Sequence, residues 1–159
     1  MKGMGKNLHY ILAPFFYLAV AQIGSSFTMQ GVSTWYPAIM KPPYTPPGAV
    51  IGVVWTVIYI LSAISLIVFV NAARSKKDVW VVGGLYLLNG LINLLWSYIF
   101  FVKHLLFLAF LDALFIWVTV GLLMVCTWSY SRISSMLLVP YFLWVSFATY
   151  LNFIIYRLN

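Results

Sequence analysis

Long apolar stretches alternate with short polar segments along the whole chain. Five such stretches run over residues 8–27, 48–72, 79–102, 105–126 and 133–156. Each meets the length of about 20 apolar residues that a helix needs to cross the hydrocarbon core of a bilayer. Only Asp112 places a formal charge inside any of them. The pattern predicts an all-α integral membrane protein, in which residues 1–159 form a single five-transmembrane-helix bundle.

The composition agrees with this pattern. Of the 159 residues, 64% are hydrophobic and 7% are charged, whereas soluble domains have about 25% charged residues. A chain so poor in charge could not cover a surface that faces water. The first stretch resembles a signal peptide, because Lys2 and Lys6 precede it and residues 19–21 look like a cleavage site. It continues to Phe27, however, which favours a retained helix.

The net charge of +7 would suggest a nucleic-acid partner in a soluble protein. Here the basic residues lie at the ends of the apolar stretches, so we expect no nucleic acid and apply the positive-inside rule. Five spans place six basic residues on the side of the N-terminus and three on the other, which predicts that the N-terminus is inside. The first side has Lys2, Lys6, Arg74, Lys76, Lys77 and Arg132, and the second has Lys41, Lys103 and Arg157.

The connection between the first two predicted helices is the only long one. It covers about residues 28–47 and ends in the sequence KPPYTPPG over residues 41–48. Long loops in compact bundles are often functional, and the prolines restrict this one, which lowers the entropy lost when it closes. It could therefore act as a lid that places the rings of Trp35 and Tyr36 over a slot. The alternative is a stiff spacer that starts the second helix.

Three predicted helices have a face of aromatic, amide and small residues at helical spacing. Amides exposed to lipid would lose hydrogen bonds, so these faces should point into the bundle. Indoles beside amides would form a slot with flat walls, which suits flat aromatic ligands. The alternative is that these residues only pack the bundle. The faces comprise Gly48, Gly52, Trp55, Tyr59 and Ser62; Asn89, Asn93, Trp96 and Phe100; and Tyr141, Trp144, Ala148 and Asn152.

Few residues suggest ordinary catalysis. The sequence has no pair of carboxylates, no metal-ligand cluster and no Ser/His/Asp set, so we expect neither a metal site nor a cofactor. His9 and His104 lie near helix ends, which argues against haem-iron ligation. Intramembrane ionisable residues are costly and often functional, so Asp112 is a candidate ligand-binding residue, with a purely structural role as the equal alternative.

Small residues recur once per heptad on the third predicted helix, at Gly83, Gly90 and Ser97. Small residues allow helix backbones to approach closely in lipid. The stripe predicts either a homodimer seam or close packing within the chain, and the sequence does not decide between them.

Several motifs in order along nearly the whole chain resemble the TspO/MBR family, which includes tryptophan-rich sensory proteins of bacteria and the mitochondrial translocator protein, a peripheral-type benzodiazepine receptor. The motifs are WY at residues 35–36 with KPPYTPPG at 41–48, WTVIY at 55–59, NLLWS at 93–97, and PY at 140–141 with Trp144 and Asn152 beyond it. The resemblance implies a five-helix bundle, usually dimeric, with a ligand pocket under the first loop. It also implies a bacterial cell membrane as the location.

The function implied by the resemblance is a membrane receptor or sensor for tetrapyrroles, such as protoporphyrin IX or haem-like molecules, and for other flat apolar ligands. One alternative is a light-dependent porphyrin-degrading enzyme that uses the indoles of Trp55 and Trp144. Another is a transporter of porphyrins or other lipophilic molecules. Carried over by motif, the ligand-binding residues would be Trp35, Tyr36, Pro46, Ile51, Trp55, Tyr59, Asn93, Trp96, Trp144 and Ala148.

The sequence departs from the family pattern at a few positions. Tyr44 replaces the usual tryptophan of the proline run, and Asn89 replaces a glutamine that is one methylene longer. A proposed cholesterol pattern requires a basic residue one to five positions after a tyrosine. That spacing is not met between Tyr150 and Arg157, which makes sterol binding doubtful.

Overall fold

The computed structural model describes residues 7–159, so Lys2 and Lys6 lie outside the described residues. Within this range every regular element is a helix. Five segments are long and apolar enough to cross a membrane, which confirms the predicted fold class. The helices are α1 (His9–Gly31), α2 (Trp35–Ala38), α3 (Gly48–Ala72), α4 (Lys76–Phe101), α5 (Leu106–Trp128), α6 (Arg132–Met136) and α7 (Val139–Leu158).

Two features of the helices were not predicted. The long connection contains the short helix α2, and the fifth span is divided into α6 and α7. Pro140 lies in the first turn of α7, where a residue without an N–H group costs little because that group has no intrahelical partner. A single helix from residue 133 onward would place the same proline in its interior, where it would remove a hydrogen bond and clash with the preceding turn.

The long helices form a bundle in which helices that follow one another along the chain are antiparallel, so that α1 and α4, which also pack together, are parallel. Helix α4 packs between α1 and α5, α5 packs against α6 and α7, and α1 packs against α3. Helix α3 approaches α4 and α7 less closely. This looser approach leaves space between α3 and the rest of the bundle at one end.

The half of the bundle away from the α1–α3 connection is filled by side chains. Phe69, Tyr86 and Leu123 are fully buried there and belong to one apolar cluster. The Ser65 hydroxyl lies 2.6 Å from the Tyr86 hydroxyl and donates to the Ser134 carbonyl oxygen at 2.7 Å, which joins α3, α4 and α6. These side chains occupy the interior of this half among the described residues.

The small-residue stripe of α4 serves packing within the chain at two of its three positions. A Cβ atom at Gly90 would meet the Phe16 ring and the Val20 side chain of α1, and one at Gly24 of α1 would lie 3.6 Å from the Ser97 hydroxyl. Gly83 has open space around it. The close approach of α1 and α4 therefore explains why small residues occupy positions 90 and 97.

Candidate functional site

A cavity of about 470 Å³ lies in the half of the bundle next to the α1–α3 connection. This volume falls in the range of about 300–1,000 Å³ that is typical of small-molecule pockets. The lining comes from the C-terminal halves of α1 and α4, the N-terminal half of α3, residues 144–155 of α7, and one face of α5. None of the described residues that line the cavity has a formal charge. The cavity therefore suits an uncharged, apolar body.

Aromatic rings form much of the cavity wall. The Trp96 ring stacks on the Phe100 ring, with centroids 5.0 Å apart and planes 17° from parallel. Trp55 packs beside Tyr59 at a centroid distance of 5.5 Å, and Trp144 lies 5.8 Å from Phe147. Helical spacing places these rings on the inner faces of α3, α4 and α7, where they offer flat surfaces to a ligand.

A chain of hydrogen bonds forms the floor of the cavity. The Tyr59 hydroxyl donates to Asn93 Oδ1 at 3.1 Å, and Asn93 Nδ2 donates to the Tyr141 hydroxyl at 2.7 Å. The Tyr141 hydroxyl donates to Asn89 Oδ1 at 2.9 Å, and Asn89 Nδ2 donates to Thr119 Oγ1 at 2.8 Å. The chain links α3, α4, α5 and α7. Because both amides are bonded within the bundle, the floor is fixed in position.

The indole N–H groups of the wall differ in their partners. Trp96 Nε1 donates to Asn152 Oδ1 at 3.2 Å, and Asn152 Nδ2 donates in turn to the Ala148 carbonyl oxygen at 2.8 Å. Trp144 Nε1 is buried and has no hydrogen-bond partner among residues 7–159. The cavity wall therefore contains one buried donor that the fold leaves unused.

The segment of residues 32–47, which we call the roof, closes one end of the cavity. Tyr36 and Pro46 of the roof belong to the lining. The Lys41 ammonium donates to the carbonyl oxygens of Tyr36 and Ile39 and lies 4.6 Å from the centroid of the Tyr36 ring. Burial raises the pKa of the Tyr36 phenol, so this ring is uncharged at neutral pH. Lys41 is the only basic residue of the roof, and its ammonium group is bonded to the backbone of the roof itself.

The end of α7 also holds the roof. Asn159 Oδ1 accepts a hydrogen bond from the Met40 amide at 2.9 Å, and Asn159 Nδ2 donates to the Met40 carbonyl oxygen at 2.9 Å. The Tyr44 ring stacks on the Tyr150 ring, with centroids 6.4 Å apart. These contacts are lost if the roof lifts away from the bundle.

The cavity opens sideways between α1 and α3. Five of its lining residues are also exposed. One is Gly48 at the start of α3, and we call the other four the mouth: Gln22, Ser25, Gly52 and Thr56. A Cβ atom at Gly52 would meet no other atom within 4 Å. Since α1 and α3 both span the membrane, the mouth faces the lipid rather than water.

Nine of the eleven predicted ligand-binding residues line this one cavity. The two that do not are Trp35 and Asp112. The nine are Tyr36, Pro46, Ile51, Trp55, Tyr59, Asn93, Trp96, Trp144 and Ala148.

Trp35 supports the wall from behind. Its ring stacks on the His104 ring, with centroids 4.2 Å apart and planes 12° from parallel, and meets the edge of Phe100 at 5.2 Å. His104 reaches this position from the tight α4–α5 connection, where its φ of 58° lies in the left-handed region. Phe100 lines the cavity, so Trp35 acts on the site through this ring.

Asp112 lies beside the cavity without lining it. Its side chain is buried on α5, and its Oδ2 atom has no hydrogen-bond partner in the described part of the chain. The adjacent Ala113 does line the cavity. Among residues 7–159, no cluster of three or more His, Cys, Asp or Glu side chains is arranged to hold a metal ion.

Sequence reasoning missed the contribution of α1. The missed lining residues on this helix are Ala21, Gln22, Gly24, Ser25 and Thr28. They are small or polar and recur at intervals of three and four residues within an otherwise apolar helix. That recurrence was the available signal, and it is weaker than a row of indoles and amides.

Comparison with known proteins is consistent with this geometry. The model of the TspO/MBR family matches residues 11–157. The chain is 43% identical over 127 residues to the tryptophan-rich protein TspO of Bacillus cereus, covering 79% of this chain and 81% of that protein. It is 36% identical over 142 residues to the protein of that name from Chlorobaculum tepidum, covering 89% and 90%. It is 30% identical over 138 residues to the human translocator protein, covering 86% and 82%.

Proposed function

The chain belongs to the TspO/MBR family, and from this membership and the cavity we propose that it is a membrane receptor or sensor for tetrapyrroles, such as protoporphyrin IX, and for other flat apolar ligands. The observation that supports the proposal most directly is the uncharged cavity of about 470 Å³ with indoles on three helices. The indoles belong to Trp55, Trp96 and Trp144. Rings that stack on or meet such walls gain about 0.5–1.5 kcal/mol per aromatic pair beyond the effect of burial.

The same lining restricts how a porphyrin would bind. A carboxylate transferred into an uncharged cavity within lipid loses its hydration without gaining a cation. The two propionates would therefore point toward the roof end of the cavity, where the chain leaves the membrane-spanning helices, while the macrocycle lies between the aromatic walls. This orientation keeps the carboxylates out of the hydrocarbon that surrounds the mouth.

Binding is tested by titrating the purified protein with protoporphyrin IX in the dark and following porphyrin absorption and tryptophan fluorescence. We expect saturable quenching, and weaker binding for Trp144→Ala, because losing an aromatic wall costs about 1 kcal/mol or more. That cost corresponds to roughly fivefold weaker binding. The matched control is Trp80→Ala, since Trp80 is 80% exposed. Equal affinities of the two variants would exclude Trp144 from the porphyrin site.

The second candidate function is light-dependent porphyrin breakdown. The observation that favours it is that Trp55 and Trp144 line one cavity, so both indoles would meet the same bound porphyrin. Transport is the weaker alternative. A transported ligand needs a route to the opposite side of the membrane, and the buried side chains of Phe69, Tyr86 and Leu123 fill the other half of the bundle.

We further propose that the N-terminus faces the cytoplasm of a bacterial cell. Bacterial relatives support this location. Four of the seven basic residues in the described range lie on that side, in the α3–α4 connection and at the starts of α4 and α6. The α3–α4 and α5–α6 connections meet where Arg74 Nη2 donates to the Ser129 carbonyl oxygen at 3.2 Å. The four are Arg74, Lys76, Lys77 and Arg132. Cysteine labelling in intact cells, with single cysteines at Lys77 and Lys103, tests the orientation, because only the outer one should react with an impermeant reagent.

A homodimer is also proposed, on the family resemblance. Gly83 is the one member of the small-residue stripe of α4 with open space around it, and it is therefore available to a second copy. Mass measurement of the detergent-solubilised protein tests the proposal. We expect a dimer for the natural chain and a shift toward monomer for Gly83→Leu, whereas a monomer in both would exclude it.

A further inference from the structure

A stacked pair of rings joins the roof to the α4–α5 connection. The Trp35 ring of the roof lies on the His104 ring, with centroids 4.2 Å apart and planes 12° from parallel. Among the aromatic pairs of residues 7–159, this pair has the shortest centroid distance and the planes closest to parallel. The Trp35 ring also meets Phe100, and both Phe100 and the adjacent Tyr36 line the cavity. The stack therefore holds the roof against the cavity wall.

The backbone and the ring of His104 are held in one position. Its φ of 58° lies in the left-handed region, which a residue other than glycine rarely adopts. Its Nε2 atom lies 3.0 Å from the Phe101 carbonyl oxygen, and because a carbonyl oxygen only accepts, Nε2 is the nitrogen that carries the proton. Nδ1 is then the atom that takes a second proton when the ring becomes an imidazolium. The side chain is exposed, so protons reach it from water.

Histidine is the side chain that ordinarily changes its charge between about pH 5 and pH 8. The chain has two histidines, and the other one, His9, is bonded to Asn71 at the opposite end of the bundle. Within residues 7–159, no titratable or charged side chain of the surrounding elements is hydrogen-bonded to His104. Those side chains are Tyr36, Lys41 and Tyr44 of the roof, Tyr98 and Lys103 of α4 and the turn after it, Asp112 of α5, and Arg157 of α7. The contacts of His104 are therefore the Trp35 ring and the Phe101 carbonyl oxygen.

A proton on the His104 ring should strengthen both contacts. An imidazolium over the face of an indole is attracted by the negative face of that ring, and a neutral imidazole lacks this attraction. Phe101 is the last residue of α4, and the C-terminal end of a helix favours a cation. A neutral imidazole still stacks, so the contact weakens at higher pH without being lost. The roof is thus held more firmly in mildly acidic solution.

We propose that His104 is a positioning residue that holds the roof through Trp35, and that a proton on its ring tightens this hold. Release of a bound ligand then slows as the pH falls. This inference rests on the proposed binding function and assigns to the site a means of regulation by pH. His104 acts through Trp35 and the roof, and it does not line the cavity itself.

The dimethyl ester of protoporphyrin IX tests the inference, because it has no carboxyl group that titrates. Its release from the protein in phosphatidylcholine nanodiscs is measured by stopped-flow displacement at about pH 5.5 and at about pH 8. We expect the off-rate of the natural chain to be roughly twofold to fivefold lower at the acidic pH, as a cation–π contact at an exposed site predicts. Saturable binding with equal off-rates would overturn the inference and leave the binding function intact. The absence of saturable binding would overturn both.

His104→Asn removes the titrating ring, and asparagine tolerates a left-handed backbone better than most residues. The off-rate of this variant should be at least as high as that of the natural chain at about pH 8, and it should no longer depend on pH. His9→Asn is the matched control, because it removes the other histidine and should retain the pH dependence. A dependence that persists in His104→Asn would belong to another group, such as Asp112 beside the cavity, and would overturn the inference.

Trp35→Leu covers the case in which His104→Asn does not fold. It retains His104 and removes the aromatic face, so the off-rate should rise and lose its pH dependence. Trp80→Leu makes the same replacement at a residue that is 80% exposed, and it should behave like the natural chain. If Trp35→Leu has the same ratio of off-rates at the two pH values as the natural chain, the charge of His104 does not act through Trp35 and the inference is wrong.

Discussion

Asn93 Nδ2 donates a hydrogen bond of 2.7 Å to the Tyr141 hydroxyl, which ties α4 to α7 beneath the cavity. The same hydroxyl donates to Asn89 Oδ1 at 2.9 Å. One phenol thus satisfies two buried amides. A lipid-embedded bundle gains little from burying apolar surface between its helices, since lipid is equally apolar. Such polar links therefore contribute to how the helices are held together.

Removing that hydroxyl should destabilise the bundle. Tyr141→Phe leaves Asn93 Nδ2 and Asn89 Oδ1 without their partner, and each unmet buried group costs about 1–3 kcal/mol. We expect a lower midpoint of thermal unfolding in detergent. Tyr156→Phe is the control, because Tyr156 is 38% exposed near the C-terminal end of α7. If the two variants unfold at the same temperature, the hydrogen-bond chain makes no net contribution to stability.

The inward position of these amides could be predicted from the sequence, because the α-helix repeats about every 3.6 residues and this repeat fixes which residues share a face. Asn89 and Asn93 are four residues apart and must share a face, and lipid penalises exposing that face. Their partners could not be predicted, because Tyr141 lies on a distant helix and its register against α4 depends on packing. Nine of the residues that line the cavity were identified from motif resemblance, and periodicity supported six of them.

The remaining parts of the site depend on contacts that have no periodic signal. Asn159 meets Met40 across the bundle, and no spacing rule relates two residues so far apart in the chain. Trp35 was predicted to line the pocket, but its ring stacks on His104. That placement follows from the left-handed backbone of His104, which a non-glycine residue rarely adopts.

Light-dependent porphyrin breakdown should depend on the indoles of Trp55 and Trp144 more strongly than porphyrin binding does. Trp55→Phe and Trp144→Phe should retain much of the porphyrin affinity, because a phenyl ring still packs against the macrocycle, yet lose most of the product formed in light. Indole is far more easily oxidised than phenyl. Product yield per bound porphyrin is measured by absorption, with Trp80→Phe as the control. Equal yields in all variants would indicate bleaching that does not involve the protein.

Asn159 should slow the release of a bound ligand, because its hydrogen bonds to Met40 hold the roof in place over the cavity. Asn159→Ala removes two hydrogen bonds to the Met40 backbone, each of which has a net value of about 0.5–1.5 kcal/mol. We expect the porphyrin off-rate to rise by roughly fivefold or more, with a smaller change in the on-rate. Stopped-flow displacement measures both.

The control for this variant is Asn71→Ala. Asn71 also makes two side-chain hydrogen bonds, to His9 and Tyr10 at the opposite end of the bundle. Its loss should leave the off-rate unchanged. If Asn159→Ala behaves like Asn71→Ala, the roof is a fixed connector and does not gate release.

The last prediction concerns the route by which a ligand enters. A leucine at Gly52 would stand in the mouth, and the backbone there has room for it, because a Cβ atom would meet nothing within 4 Å. Replacing glycine within a helix should also raise stability slightly, by about 0.8–1.0 kcal/mol on propensity alone. Gly52→Leu should therefore fold normally while slowing entry from the lipid at least severalfold.

Gly84→Leu is the matched control, since Gly84 is a helical glycine of α4 with equally open surroundings and lies outside the cavity lining. Stopped-flow quenching in nanodiscs measures the on-rate for each. A barrier at the mouth slows entry and exit together, so the on-rate should fall more than the affinity does. An unchanged on-rate in Gly52→Leu would mean that ligands pass the roof instead, in which case Asn159→Ala should accelerate entry as well as release.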